Sequence, residues 1–91
     1  MIIGVAWYRL EQWTLLKSIS VDSAELEDTY QEWIEAAEQS LKQIRETGIN
    51  ARKVDVDVDE LSDWCRTEGR PVDGSARSQF VVHQMKHEDQ K

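Results

Sequence analysis

The chain has few of the residues that cross-link or interrupt a fold. Its one cysteine, Cys65, excludes an intrachain disulfide and is typical of a reducing compartment. One proline and four glycines argue against a long linker or a low-complexity region. The length of 91 residues, of which 40% are apolar, indicates a single small domain over residues 1–91. The last few residues, about 86–91, are expected to fray.

Basic charge and long apolar runs are also scarce. Acidic residues outnumber basic ones by 18 to 11, which gives a net charge of −7. A negative field repels phosphate, so we expect no nucleic-acid or membrane binding, and a basic protein is the better-matched partner. The apolar run at residues 1–8 is too short for a membrane span and lacks the basic leader of a signal peptide. These features predict a cytoplasmic protein.

Two segments have the pattern of β-strands. Residues 2–8 are almost continuously apolar and rich in β-branched and aromatic side chains, which predicts a strand covered on both faces. Residues 51–58 alternate between apolar and charged side chains, which predicts a half-buried strand. Asp57 and Glu60 have the spacing of a capping box, so this strand is expected to lead directly into a helix.

The clearest helical pattern lies between these strands. Its apolar stripe consists of Leu26, Tyr30, Trp33, Ile34, Ala37, Leu41 and Ile44. Either Asp22 with Glu25 or Asp28 with Gln31 has the spacing of an N-terminal cap. Gly48 is well placed to end the helix in a left-handed conformation. Shorter stripes predict one helix before this one and two after the second strand.

The predicted order is therefore β-α-α-β-α-α. It indicates an α/β fold, with α+β also possible, in which a small two-stranded sheet packs against a long amphipathic helix. The long crossover favours parallel pairing without excluding antiparallel pairing. A two-stranded sheet is marginally stable alone, and the first strand has more apolar surface than one neighbour covers. We therefore predict a homodimer with a shared sheet.

Three alternating carboxylates are the candidate metal site. Asp55, Asp57 and Asp59 supply oxygen ligands of the kind that divalent cations prefer. Their spacing resembles the start of a calcium loop, but Glu60 and Arg66 stand where that loop needs glycine and a bidentate glutamate. The alternative interpretation is a solvated strand face followed by a helix cap. No other cofactor-binding pattern and no catalytic residues are identified.

Tryptophan and acidic side chains mark the candidate interface. Four tryptophans are many for so small a core, so Trp7 and Trp13 are predicted to reach an interface. The outer face of the long helix carries Glu32, Glu35 and Glu38, which could dock a basic protein. The ordinary interpretation of such a face is a solvated helix surface.

Several segments together carry a resemblance. They are AWYR at 6–9, Trp13, LEDTYQEW at 26–33, VDVDEL at 56–61, WC at 64–65 and GRPVDG at 69–74. In these segments the chain resembles a family of small uncharacterised bacterial proteins with no assigned function. The resemblance covers nearly the whole chain and implies a bacterial, self-contained domain. It transfers no site residues.

The combined observations favour a small protein-interaction domain. We predict a homo-oligomer that docks a partner through the acidic helix face and an aromatic patch. One alternative is a metal-dependent hydrolytic enzyme that uses the aspartate cluster. Another is an antitoxin-like or nucleic-acid-mimicking inhibitor. Enzymatic activity is the less favoured class, because neither a Ser–His–Asp order nor a nucleophile elbow is present.

Overall fold

The computed structural model describes residues 2–89, with side chains to residue 87. Over this range the chain forms two strands and four α-helices in the predicted order. They are β1 (Ile2–Trp7), α1 (Trp13–Ile19), α2 (Tyr30–Glu46), β2 (Asn50–Asp55), α3 (Val58–Glu68) and α4 (Gly74–Asp89). Short 3₁₀ turns lie at Leu10–Gln12 and Ser23–Glu25. The predicted small α/β fold is confirmed.

The two strands pair in parallel. The register runs from Ile2 opposite Asn50 to Trp7 opposite Asp55. Helices α1 and α2 together form the crossover, as a parallel connection requires. The parallel pairing favoured by the length of the crossover is therefore the one observed.

Helices α2 and α4 cover opposite faces of the sheet. A Cβ added to Gly4 would contact Val81 of α4 at 2.8 Å, so α4 lies on the face to which Gly4 points. The next residue, Val5, is the register partner of Lys53, whose Nζ lies 2.9 Å from the Oε1 of Glu38 in α2. Because adjacent strand residues point to opposite faces, α2 lies on the other side.

The main core lies where α1, α3 and α4 meet the α4 side of the sheet. Its buried members are Tyr8, Trp13, Leu16, Val54, Val56, Val58, Leu61, Cys65, Val72, Ala76, Phe80 and Val81. Burial raises the pKa of the Cys65 thiol, as expected for an inert core cysteine. On the α2 side, Leu41 and Ala51 are the buried residues.

Helix α2 begins later than the sequence pattern predicts. Its N-cap is Thr29, which has an extended backbone and whose Oγ1 accepts a hydrogen bond from the Glu32 amide at 3.1 Å. The caps proposed at Asp22 and Asp28 are therefore wrong. Leu26 precedes the helix in an irregular segment, although it still packs against the core.

The second strand is shorter than predicted because a helix cap stops it. The Asp57 carboxylate accepts the amides of Asp59 and Glu60 at 2.9 and 3.2 Å, which confirms its capping role and starts α3 at Val58. At the other end of α3, Gly69 adopts the left-handed conformation with φ +66°. Gly48 does the same after α2, with φ +89°, as predicted.

The first strand is less buried than its sequence pattern predicts. Ile2 and Ile3 are 48% and 39% exposed and the rest of β1 is half-buried, so the prediction of a strand covered on both faces is wrong within one chain. The cause is that β1 is an edge strand, with β2 on one side only in residues 2–89. The last helix extends to Asp89, and the expected fraying of residues 86–91 stays a prediction. Residues 90 and 91 lie outside the described range.

Candidate functional site

An apolar groove follows the outer edge of β1. It encloses about 730 Å³, and residues 2–6 form its floor. Helix α4 supplies one wall, which includes Val82 and Met85, and the opposite wall comes from Leu26 and Trp33. The groove therefore lies between the two helical layers, along the edge of β1 that faces away from β2. No strand of residues 2–89 pairs with this edge.

The groove exposes large apolar side chains. Val82 is 52% exposed on the α4 wall, and Ile2 and Ile3 are exposed on the floor. Single exposed apolar residues are ordinary, but a contiguous apolar patch marks an interaction site or a binding groove. The clustering along one strand edge is what distinguishes this surface.

Gly4 allows α4 to lie against the strand. A Cβ at this position would collide with the Met85 Sδ and would lie 2.8 Å from the Val81 Cγ1 and 3.0 Å from the Val54 Cγ2. Real Cβ atoms essentially never approach as closely as the nearest of these contacts. The missing side chain thus sets the position of the α4 wall above the floor.

The backbone of β1 offers hydrogen-bonding groups to the groove. The Trp7 carbonyl accepts the Val56 amide at 3.0 Å, so Trp7 directs its backbone groups towards β2. Successive residues of a strand alternate the side to which their N–H and C=O groups point. Ile2, Gly4 and Ala6 therefore direct theirs away from β2, towards the open edge.

Among the described residues that line the groove, Arg77 has the one charged side chain, and its charge is neutralised within the chain. Arg77 donates to both carboxylate oxygens of Asp22, at 2.9 and 2.7 Å, and to the Ser20 hydroxyl at 3.2 Å. The two side chains of the ion pair are only 12% and 17% exposed. These hydrogen bonds hold the pKa of Asp22 below its ordinary value and raise the pKa of Arg77. The groove is therefore electrically neutral.

Five aromatic rings pack together at the Trp7 end of β1. Trp33 stands at the centre, with its ring centroid 5.3–5.5 Å from those of Trp7, Tyr8, Trp13 and Tyr30. The Tyr30 hydroxyl donates to the Tyr8 carbonyl at 2.9 Å. Burial raises the pKa of Tyr8 to about 12, so its phenol stays neutral at physiological pH.

The two tryptophans predicted at an interface have different environments. Trp13 is 4% exposed, so its ring is part of the core and its predicted contact with a partner is wrong for this fold. Trp7 is half-buried, with its ring beneath the Lys53 ammonium at 4.3 Å. Trp33, which the sequence places on the core stripe of α2, packs against the core and also lines the groove. The aromatic side chains that line the groove are Trp33 of α2 and Tyr8, which follows β1.

The predicted acidic surface of α2 is engaged in local contacts. Glu32 accepts from the Thr29 hydroxyl at 3.1 Å, and Glu35 accepts from Gln31 at 2.8 Å. Glu38 forms its ion pair with Lys53. All three glutamates are exposed, so they remain accessible to a basic partner. Their charge is partly satisfied within the chain.

The three aspartates of the candidate metal site have separate roles. Asp55 lies 3.5 Å from the Arg9 guanidinium, Asp57 caps α3, and Asp59 is exposed in the first turn of that helix. In the part of the chain described, no group of three or more histidine, cysteine or acidic side chains is arranged to hold a metal ion. The ordinary interpretation of a helix cap holds for Asp57.

Comparisons with known proteins leave the structure as the main source of functional information. The chain matches no family model, no curated protein and no solved structure. Among residues 2–89, no helix has both the length and the apolar character needed to cross a membrane. The resemblance to a small bacterial family stays a prediction.

Sequence patterns pointed to the first strand but missed the groove. The difference in charge between the two strands could have indicated an apolar edge, because β1 has the sequence IIGVAW and β2 has the sequence NARKVD. The walls could not be found in the same way. Leu26, Trp33 and Met85 are far apart along the chain, and only the packing of α2 and α4 on the sheet brings them to one edge.

Proposed function

We propose that this protein is a protein-interaction domain that binds an extended, uncharged polypeptide strand along the outer edge of β1. The observation that carries the proposal is the uncharged edge of β1 at the floor of a groove of about 730 Å³. In strand addition, backbone hydrogen bonds supply affinity and side-chain pockets supply specificity. The outward backbone groups of Gly4 and Ala6 and the apolar walls provide both elements.

Electrostatics favour the groove over the acidic surface as the principal docking site. The groove is neutral because Asp22 neutralises Arg77, so an uncharged strand enters without leaving an unpaired charge. Docking at the acidic face would compete with the existing contacts of Glu32, Glu35 and Glu38. We keep that face as a secondary surface for a basic partner. The single cysteine supports a cytoplasmic location for the complex.

A synthetic strand tests the proposal. The probe has the sequence of residues 2–8 flanked by lysines for solubility, and amide chemical shifts of the isotope-labelled protein are followed as it is added. We expect the largest changes in chemical shift at the amides of Gly4 and Ala6 and at Val82 in the α4 wall of the groove. The matched control has the same side chains but N-methyl groups on alternate amides, which removes the hydrogen-bond donors.

The two peptides separate strand addition from simple apolar contact. Binding of the first peptide with loss of binding by the methylated one supports the proposal. Equal binding of both, or changes confined to α2 and α3, would contradict it, because neither result requires the backbone edge of β1.

A further inference from the structure

We infer that the strand that occupies the groove is β1 of a second copy of this chain, running antiparallel to the first. The inference rests on the proposed function and names its partner. The resulting dimer has one continuous sheet in the order β2–β1–β1–β2. A sheet of two strands is marginal by itself, whereas three or more strands give independent stability.

The chemistry of the groove fits this strand better than any other in the described chain. The groove requires an uncharged, apolar, extended segment, and the six residues of β1 contain no charged side chain. Strand β2 contains Arg52, Lys53 and Asp55, whose charges would have to be desolvated in the groove. In a two-fold symmetric contact, one surface must complement itself, and β1 is both the floor of the groove and a suitable occupant.

The direction of the backbone groups specifies the register. Ile2, Gly4 and Ala6 point to the open edge, and Gly4 is the middle residue of the three. In an antiparallel pair, residues directly opposite each other that face inward exchange both backbone hydrogen bonds. With Gly4 opposite Gly4, Ile2 stands opposite Ala6 of the second copy, so all three outward residues are satisfied. Ile3 then stands opposite the partner's Val5.

The same symmetry covers the exposed wall of the groove. A two-fold axis perpendicular to the sheet keeps the two α4 helices on the same face, on either side of the paired strands. Val82, which is 52% exposed, and Met85 then face their equivalents across the axis. The apolar surface of α4 that has no partner within one chain is thereby buried.

The first experiment measures mass and compares two matched substitutions. We expect light scattering to give twice the single-chain mass of 10.6 kDa for the wild-type protein. Ile3→Lys places a charge on the groove floor. Ile49→Lys is the control, because Ile49 is 43% exposed, close to the 39% of Ile3, but does not line the groove. We expect Ile3→Lys to be monomeric and Ile49→Lys to stay dimeric, both with wild-type circular dichroism.

The second experiment tests the register and does not depend on how Ile3→Lys folds. Directly opposite residues of an antiparallel pair have Cβ atoms about 4.5–5.5 Å apart, and diagonal neighbours about 7–8 Å. Under mild oxidation, a mixture of Ile3→Cys and Val5→Cys variants should therefore form an intermolecular disulfide, whereas either variant alone should not. Wild-type protein is the control for Cys65, which is buried.

The outcomes separate this inference from the proposed function. A dimer that forms the mixed disulfide supports both. A wild-type monomer that still binds the strand peptide overturns the second-copy inference and leaves strand binding intact. A dimer that survives Ile3→Lys, or that forms disulfides in the single-variant samples, overturns the inference because its interface or register lies elsewhere. A monomer that binds no peptide overturns both.

Discussion

The two edges of this small sheet differ in charge and in cover. On β2, Lys53 and Asp55 are charged, and the outward carbonyl of Ala51 accepts from the Arg45 Nε at 3.1 Å. On β1 there is no charge, and the open edge lies in an apolar groove. Charged side chains and local cover are the usual means by which proteins prevent edge-to-edge pairing. The contrast supports our proposal that β1, and not β2, pairs with a further strand.

The largest effect is expected from removing the close approach of α4 to β1. In Gly4→Ala, the new Cβ collides with Met85 and Val81, and we expect a loss of about 3 kcal/mol in the free energy of unfolding, near the upper end for overpacking. Urea denaturation measures it. The control is Gly74→Ala, where the nearest atoms would be 3.7 Å away and stability should hardly change. Equal stability of the two variants would mean that the α4 wall is not fixed by Gly4.

The ion pair beside the groove should be worth more than its surface counterparts. Asp22→Asn removes the negative partner of Arg77, and we expect a loss of about 1.5–3 kcal/mol because both side chains are largely buried. Asp63→Asn is the control, since its ion pair with Arg66 is 71% and 76% exposed and should be worth less than about 1 kcal/mol. Thermal or urea unfolding of both variants measures the difference.

The pH dependence of Asp22→Asn has a definite sign. The pKa of Asp22 is lowered in the folded state, so its carboxylate stabilises the fold above the ordinary pKa of 3.8 and this stabilisation is lost as the pH falls. The stability gap between wild type and variant should be constant near neutral pH and narrow below 3.8. A gap that widens on acidification would contradict the assignment.

Salt should distinguish the neutral edge from the acidic surface. Each chain has a net charge of −7, so two copies repel each other, and added salt should tighten association through the groove. Docking of a basic partner on the glutamates of α2 should instead weaken as salt is added. Sedimentation at low and high ionic strength measures the first effect. A dimer that weakens with salt would place the contact on charged surfaces.

A smaller effect is expected on the β2 side. Glu38→Gln breaks the ion pair with Lys53, whose side chains are 44% and 54% exposed, and should cost about 0.2–1 kcal/mol. The loss should shrink at high salt, because exposed pairs are screened. Because this contact lies away from the groove, the dimer mass should be unchanged. A monomeric Glu38→Gln variant would show that β2 also takes part in association.

The smallest effect is expected from divalent metal. A ligand that binds the native state raises the melting temperature. With Asp55, Asp57 and Asp59 in separate roles, millimolar Mg²⁺, Mn²⁺ or Ca²⁺ should leave the melting temperature of the wild-type protein unchanged. A rise that disappears in Asp57→Asn would favour the alternative hypothesis of a metal-dependent hydrolytic enzyme over the interaction domain.

Local sequence patterns predict much of the fold but few features of the candidate functional site. Asp57 was identified as a cap because capping depends on residues two or three positions apart. The spacing of Asp22 or Asp28 predicts an earlier start for α2, but Thr29 caps the helix and Asp22 binds Arg77, 55 residues away. The number of tryptophans predicts that Trp13 reaches an interface, but composition does not show that neighbouring rings enclose its side chain.

The sequence by itself determined the order of elements, the uncharged first strand and the acidic character of α2, because each depends on residue type and short-range periodicity. The tertiary structure alone decided that α2 and α4 stand on opposite faces of the sheet and enclose the edge of β1. It also decided that Arg77 meets Asp22 and leaves the groove neutral. These features join residues far apart in the chain, and packing, which brings such residues together, is not encoded in any local pattern.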